Sequence, residues 1–152
     1  MTALAMISSD AAAVAAGAVI GALSRYQAGE MAAQWIAKDP RTRSHLHGWH
    51  TAGINIAGSF ALGGLTSTPT ATSAATSTPV PKFGGGLSPR TKLMMSVGFC
   101  GSFTTFSTFS VDVVKWIAAG ETSKAATYVM TNGVGGIAAA AAGMVLMKKI
   151  FG

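Results

Sequence analysis

Four stretches of this 152-residue chain carry no Lys, Arg, Asp or Glu side chain and consist mostly of apolar residues. With their flanks, they approach the roughly 17–25 residues that a helix needs to cross the hydrocarbon core of a bilayer. The pattern predicts an all-α membrane protein that forms one domain over residues 1–152. Its four transmembrane helices are placed at about 11–36, 48–65, 93–117 and 123–151.

The segment between the second and third predicted helices, residues 66–92, has a different composition. Of its 27 residues, 11 are Ser or Thr, 4 are Pro and 3 are Gly. Such a segment buries too little apolar surface to offset the entropy that ordering removes. It is therefore predicted to be a disordered loop outside the membrane.

Composition and charge narrow the classes of function. Only 11% of the residues are charged, against roughly 25% in typical globular domains. A net charge of +6 is compatible with nucleic-acid binding, but the cations lie mostly in predicted loops and no basic run contains aromatic residues. We therefore expect no nucleic-acid partner, and expect the lipid bilayer and a second copy of the chain as partners.

The cations also bear on orientation. With four spans, the two tails and the long loop share one side of the membrane, and the two short loops share the other. Because an excess of cations sets orientation, five Lys and Arg residues on each side predict dual topology and an antiparallel homodimer. Misplaced helix ends that conceal a weak bias are the alternative. The two sets are Lys82, Arg90, Lys92, Lys148 and Lys149, and Lys38, Arg41, Arg43, Lys115 and Lys124.

The third predicted helix has an unusual density of hydroxyl groups and phenylalanines. Gly101 to Thr105 is a poor helix-forming sequence, so a break is predicted there. Non-helical backbone at membrane depth is tolerated where it is buried in protein or lines a cavity, and its carbonyls are good ligands for a hard cation. The hydroxyl residues are Ser102, Thr104, Thr105, Ser107, Thr108 and Ser110, and the interleaved aromatic residues are Phe103, Phe106 and Phe109.

Two further predicted helices carry polar stripes. Thr51 and Asn55 lie one helical turn apart in the second helix, and Tyr128 and Asn132 in the fourth. Hydrogen bonding between helices explains such stripes, and so does a pathway for a small ion or solute. The spacing alone leaves both explanations open.

The chain resembles the fluoride channel family of small four-span membrane proteins, also called camphor-resistance proteins. The matching residues occur in all four helices in order, and the most specific match is the Thr-Thr-Phe-Ser-Thr-Phe-Ser run at 104–110. The others are Gly21 to Tyr26, Thr51, Asn55, Gly58, Ser59, Phe60, Gly98 to Gly101 and Tyr128.

The resemblance implies a passive fluoride-selective channel that exports fluoride and protects the cell from its toxicity. It implies an antiparallel homodimer with two fluoride pathways and a central structural Na⁺, held by backbone carbonyls of Gly101 and Thr104. Phe106 and Phe109 are expected to line the pathways, and Asn55 to project a hydrogen-bond donor into them. The remaining residues assigned to the fluoride pathway are Thr51, Thr105, Thr108, Tyr128 and Asn132. The expected location is a cell membrane, either bacterial inner or eukaryotic plasma membrane.

The chain departs from the family pattern at several positions. Ser102 replaces a usual glycine, Asn132 and Gly136 replace serine or threonine, and Asp112 stands where glutamate is common. The segment 66–92 is much shorter in ordinary members. Arg25 is interpreted as a structural residue that satisfies a carboxylate or carbonyls, with an anion-attracting role as the alternative.

The alternative function is a proton-coupled small multidrug transporter. That mechanism requires a membrane-embedded carboxylate, for which Glu30 is the candidate. A subunit with a structural or assembly role and no transport activity is a third possibility. An enzyme is not expected, because no set of nucleophile and base or of metal ligands falls within the predicted helices.

Overall fold

The computed structural model describes residues 3–38, 48–71 and 86–151, with side chains from Ser9 onward. In this part of the chain the architecture is helical. The helices are α1 (Ala3–Ala37), α2 (Trp49–Ser67), α3 (residues 89–103), α4 (Phe106–Ala118) and α5 (Thr122–Phe151). Two extended residues separate α3 from α4. The predicted third helix corresponds to α3 and α4 together, and the predicted fourth to α5. The prediction of four helices is confirmed.

Local sequence explains where several helices begin and end. Ser88 caps α3 by accepting a hydrogen bond from the Thr91 amide, and Pro89 occupies the first helical position, where its missing N–H costs nothing. Gly48 and Gly120, at φ 87° and 79°, make the turns before α2 and after α4. Within α3, Met94–Cys100 is π-helical. The sequence pattern did not predict this local widening of the helix.

The segment predicted to be disordered, 66–92, is more ordered at both ends than its composition suggests. Its middle, 72–85, lies outside the described residues. Leu87 makes backbone hydrogen bonds to Pro69 and Ala71, and the Lys92 ammonium donates to the Thr68 carbonyl at 2.9 Å, just beyond the end of α2. A cation that bonds the last carbonyls of a helix stabilises its C-terminus, so Lys92 orders residues that composition alone assigns to a loop.

The helices pack closely through glycines. A Cβ atom at Gly17 would overlap the Met94 carbonyl, and one at Gly21 would overlap the Phe99 carbonyl, so α1 lies directly against the backbone of α3. Gly63 and Gly143 bring α2 and α5 together in the same way. Small residues at helix contacts are typical of helix packing in lipid.

Two helical stretches in the described residues are long and apolar enough to cross a membrane by length and composition, Pro89–Ala118 and Thr122–Phe151. In their most apolar windows only 17% and 11% of the residues are buried. Large apolar side chains lie on their outer surfaces, including Ile137 at 74% exposure. Such surfaces are typical of a membrane protein. Membrane crossing by α1 and α2 stays a prediction.

Candidate functional site

The helical path stops at Phe103 and resumes at Phe106. Thr104 and Thr105, between them, have extended backbone, with φ/ψ of −79°/158° and −148°/114°. Thr104 ends α3 by donating both its amide and its hydroxyl to the Cys100 carbonyl, at 3.1 and 3.0 Å. Thr105 begins α4, because its hydroxyl accepts a hydrogen bond from the Thr108 amide at 3.2 Å. We call residues 104–105 the interruption.

Asn55 of α2 holds the interruption in place. Its Oδ1 accepts from the Thr105 amide at 2.8 Å, and its Nδ2 donates to the Thr105 carbonyl at 3.2 Å. The amide side chain therefore pairs with the extended residue as a neighbouring β-strand would. This pairing satisfies polar backbone groups that would otherwise be costly to bury.

The interruption also releases carbonyls of α3 from helical hydrogen bonds. In a continuous helix, the Thr105 amide would bond the Gly101 carbonyl and the Thr108 amide would bond the Thr104 carbonyl. Here the Thr105 amide donates to Asn55 instead, and the Thr108 amide donates to the Thr105 hydroxyl. The C-terminal end of α3 thus presents carbonyl oxygens beside the N-terminal amides of α4. These two ends carry opposite partial charges.

Arg25 of α1 contacts the same region. Its Nε donates to the Ser102 carbonyl at 3.1 Å, so a guanidinium group bonds one of the carbonyls at the end of α3. This is the kind of partner expected for a structural arginine.

One cavity, which we call the aromatic cavity, lies beside the interruption between α2, α4 and α5. Its volume is about 290 Å³. The rings of Phe106 and Phe109 have centroids 5.5 Å apart, and Phe106 is 79% exposed in the single chain. Its lining includes Asn55, Thr105, Phe106, Phe109 and Asn132. The structure therefore groups five of the residues predicted for an ion pathway.

A second cavity, the charged cavity, lies on the α1 side of the interruption and has a volume of about 360 Å³. Thr51, Thr105 and Thr108 contribute hydroxyl side chains to it. Arg25, Glu30 and His50 also line it. Thr105 lines both cavities, so only the interruption separates them at this point.

Tyr128 lies elsewhere. Its side chain is fully buried, at 0% exposure, and its ring packs against those of Phe109, Trp116 and Trp49 with centroids 4.6–5.6 Å apart. Its hydroxyl lies 3.3 Å from Asp112 Oδ2. Tyr128 is not among the residues that line either cavity in the described part of the chain. It forms the centre of the packing between α2, α4 and α5.

His50 was not predicted from the sequence as a residue of the site, and Glu30 was considered only as the candidate carboxylate of a multidrug transporter. Both line the charged cavity. The signal available was spacing: His50 directly precedes Thr51, and Glu30 lies five residues after Arg25. Helical spacing places residues on faces but does not bring faces of separate helices together, so this cavity could not be derived from spacing alone.

The fold and the site define a class: a small helical protein whose third helix is interrupted beside a cavity lined by aromatic rings and side-chain amides. The chain belongs to the CrcB-like protein family, Camphor Resistance, whose sequence model matches residues 12–144. The predicted family resemblance is confirmed.

Several curated relatives are named fluoride-specific ion channels. The protein from Gloeobacter violaceus is 32% identical over 137 residues, 90% of this chain and 94% of the relative. The one from Nitrobacter winogradskyi is 32% identical over 142 residues, 91% and 94% of the two chains. A FluC 2 protein from Synechococcus is 34% identical over 138 residues, 90% and 78%. Membership of a family of ion channels confirms that the chain is not an enzyme.

Proposed function

We propose that this protein is a passive fluoride-selective channel that exports fluoride and protects the cell from fluoride toxicity. The observation that carries the proposal is the aromatic cavity beside the N-terminus of α4, lined by Phe106 and Phe109. The names of the relatives point to the same substrate.

The chemistry of this cavity suits a small anion. The edge of a phenyl ring is the positive end of its quadrupole, and the first amides of a helix carry partial positive charge. Neither group bears a full charge that would trap the ion. Conduction requires binding strong enough for the ion to enter and weak enough for it to leave, and a lining of ring edges and amides meets both requirements.

The proposed assembly is an antiparallel dual-topology homodimer with two fluoride pathways. The exposure of Phe106, 79% in the single chain, supports this assembly. A large apolar ring beside a polar cavity is a surface that a second protein chain can bury. A second copy lying over this face would close the cavity and leave a narrow path. Gly101 is also exposed, with no atom within 4 Å of the position that a Cβ would occupy, so a partner has room to approach the interruption.

The residues at the interruption fit a structural Na⁺. The carbonyls of Gly101 and Thr104 have lost their helical amide partners, and hard cations prefer oxygen ligands. Carbonyls at a helix break are a recurring kind of sodium site in membrane proteins. In the proposed dimer, both copies supply these two carbonyls, and a bound Na⁺ supplies positive charge that holds the two interruptions together.

The proposed location is a cell membrane, which the chain crosses four times. A bacterial inner membrane is favoured, because the relatives compared come from bacteria. Fluoride would leave the cell down its electrochemical gradient, without coupling to protons or to nucleotide hydrolysis.

Efflux from liposomes tests this function. Purified protein is reconstituted into liposomes loaded with potassium fluoride or potassium chloride at pH 7, and valinomycin carries the compensating K⁺. We expect rapid fluoride release and chloride release no faster than from protein-free liposomes.

Two results would contradict the proposal. Proton-dependent uptake of a cationic drug without fluoride release would identify a multidrug transporter, with Glu30 as its carboxylate. The absence of both activities in a folded dimer would favour a structural subunit.

A further inference from the structure

Asn55 and Asn132 are joined in a chain of hydrogen bonds whose direction is fixed at both ends. On α5, Asn132 Nδ2 donates to the Tyr128 carbonyl at 3.0 Å. Asn132 Oδ1 then accepts from Asn55 Nδ2 at 3.0 Å, and Asn55 Oδ1 accepts from the Thr105 amide at 2.8 Å. The Tyr128 carbonyl can only accept a hydrogen bond, and the Thr105 amide can only donate one. Rotating either amide by 180° would therefore oppose donor to donor or acceptor to acceptor.

The same chain uses the donors of Asn55. An Asn side chain has two N–H groups. One donates to the Thr105 carbonyl and the other to Asn132 Oδ1. Neither is left to point into the aromatic cavity, in contrast to the expectation that Asn55 projects a donor toward fluoride.

We propose that Asn132 is a positioning residue: it fixes the orientation of the Asn55 amide and withholds an Asn55 N–H from the passing anion. This proposal deepens the proposed channel function and rests on it. Binding in the aromatic cavity is then weaker than the number of amide groups around it suggests, because the donors of Asn55 are bonded to protein. Weaker binding at one point in a pathway allows faster exit.

Removing the Asn132 side chain should reverse this effect. In Asn132→Ala, one Asn55 N–H loses its acceptor and becomes available to an anion in the cavity. In Asn132→Val, the side chain has no hydrogen-bond acceptor, which also leaves the Asn55 N–H unbonded. The two variants should therefore behave alike, although their side chains differ in size.

The first measurement is spectroscopic and independent of transport. Asn55 and Asn132 are the only asparagines in the sequence, so protein labelled with ¹⁵N-asparagine gives two side-chain NH₂ signals in detergent micelles. In the unmodified protein, both NH₂ groups should exchange with solvent more slowly than a free amide. In either variant, the remaining Asn55 signal should shift and exchange at least about tenfold faster, the factor expected for loss of one hydrogen bond.

The second measurement is the fluoride efflux rate as a function of fluoride concentration. In both variants the half-saturating concentration and the maximal rate should fall together, each by about tenfold, as expected for one additional hydrogen bond to an anion. A purely structural defect would lower the maximal rate without tightening binding. Thr131→Val is the matched control, because Thr131 bonds only within its own helix, to the Thr127 carbonyl, and should change neither quantity.

The outcomes are distinct. If both NH₂ groups of the unmodified protein exchange with solvent as fast as a free amide, the positioning role is wrong. This result does not depend on the folding of any variant. An altered Asn55 signal with an unchanged half-saturating concentration overturns the claim that the donor is withheld from the anion. If the unmodified protein releases no fluoride while the Asn55 signal shifts as expected, the channel function fails and the bonding of the two amides stands.

Discussion

Asn55 bonds the amide and the carbonyl of a single residue, Thr105, across the contact between two helices. The stripe of polar residues left open whether Asn55 bonds another helix or lines an ion pathway, and the predicted break indicated that backbone carbonyls lose their helical partners. The sequence did not show that the two features meet. Spacing within one helix fixes a face of that helix but not its register against another.

Removing the Asn55 side chain should destabilise the fold. Asn55→Ala removes the partners of the amide and carbonyl of Thr105, which are partly buried. A fully buried group without a hydrogen bond costs about 1–3 kcal/mol, so the loss here should be at most of that order. We expect a lower midpoint of thermal unfolding of the purified protein in detergent, followed by intrinsic fluorescence. Thr127→Val is the control, because its hydroxyl bonds only the Ser123 carbonyl of its own helix. Equal midpoints for the two variants would show that Asn55 does not support the interruption.

The packing of Tyr128 is a second feature at the residue scale that the sequence did not show, and its place in the fluoride pathway stays a prediction. Its spacing from Asn132 and its match to the family assigned it to the fluoride pathway. In the structure it is enclosed by the rings of Trp49, Phe109 and Trp116. These rings come from two other helices, so the aromatic cluster could be recognised only after the helices were assembled.

At the scale of helices, the break was predicted within Gly101 to Thr105, and the extended residues are Thr104 and Thr105. Helix propensity identified the region because β-branched residues following Gly and Ser disfavour a helix. The exact residues depend on capping: the Thr105 hydroxyl caps α4, and a side-chain cap is a stronger determinant of a helix start than propensity. The π-helical stretch Met94–Cys100 gave no sequence signal that distinguishes it from an α-helix.

The glycine contacts between α2 and α5 give a test at this scale. In Gly63→Ala the new Cβ would overlap the backbone carbonyl of Ala140, and overpacking of this kind typically costs about 1–3 kcal/mol. Gly53→Ala is the matched control on the same helix, because no atom lies within 4 Å of its Cβ position. We expect a lower thermal unfolding midpoint for the first variant, and an unchanged or higher one for the second because alanine favours helix over glycine. A similar midpoint for both variants would indicate that α2 and α5 are not packed this closely.

At the scale of the whole molecule, the proposed channel requires a second copy of the chain. Phe106 is largely exposed and the aromatic cavity is partly open in the single chain. The tied count of cations predicts that a second copy can insert in the opposite orientation. Orientation can be predicted from the sequence because it depends on the charges of the loops. The contact between two copies cannot be predicted in this way, because it depends on the surfaces of two folded chains.

Labelling of cysteines from one side of the membrane tests dual topology. In a Cys100→Ala background, Ser88→Cys and Glu121→Cys place single thiols on opposite sides of the predicted membrane. We expect an impermeant thiol reagent applied to intact bacterial cells to label about half of the copies of each variant, as equal cation counts predict. Labelling of one variant only would show a single orientation and exclude the antiparallel homodimer.

The central claim is that fluoride passes the phenylalanine rings beside the interruption. The most direct test compares fluoride efflux from liposomes containing the unmodified protein, Phe106→Ile, or the control Val114→Ile on the outer surface of α4, where Val114 is 64% exposed. Phe106→Ile keeps an apolar side chain of similar reach but removes the positive ring edge. Fluoride release should fall to the level of protein-free liposomes in Phe106→Ile, with the dimer still folded by size-exclusion chromatography, and remain unchanged in Val114→Ile. Unchanged fluoride efflux in Phe106→Ile would contradict the account.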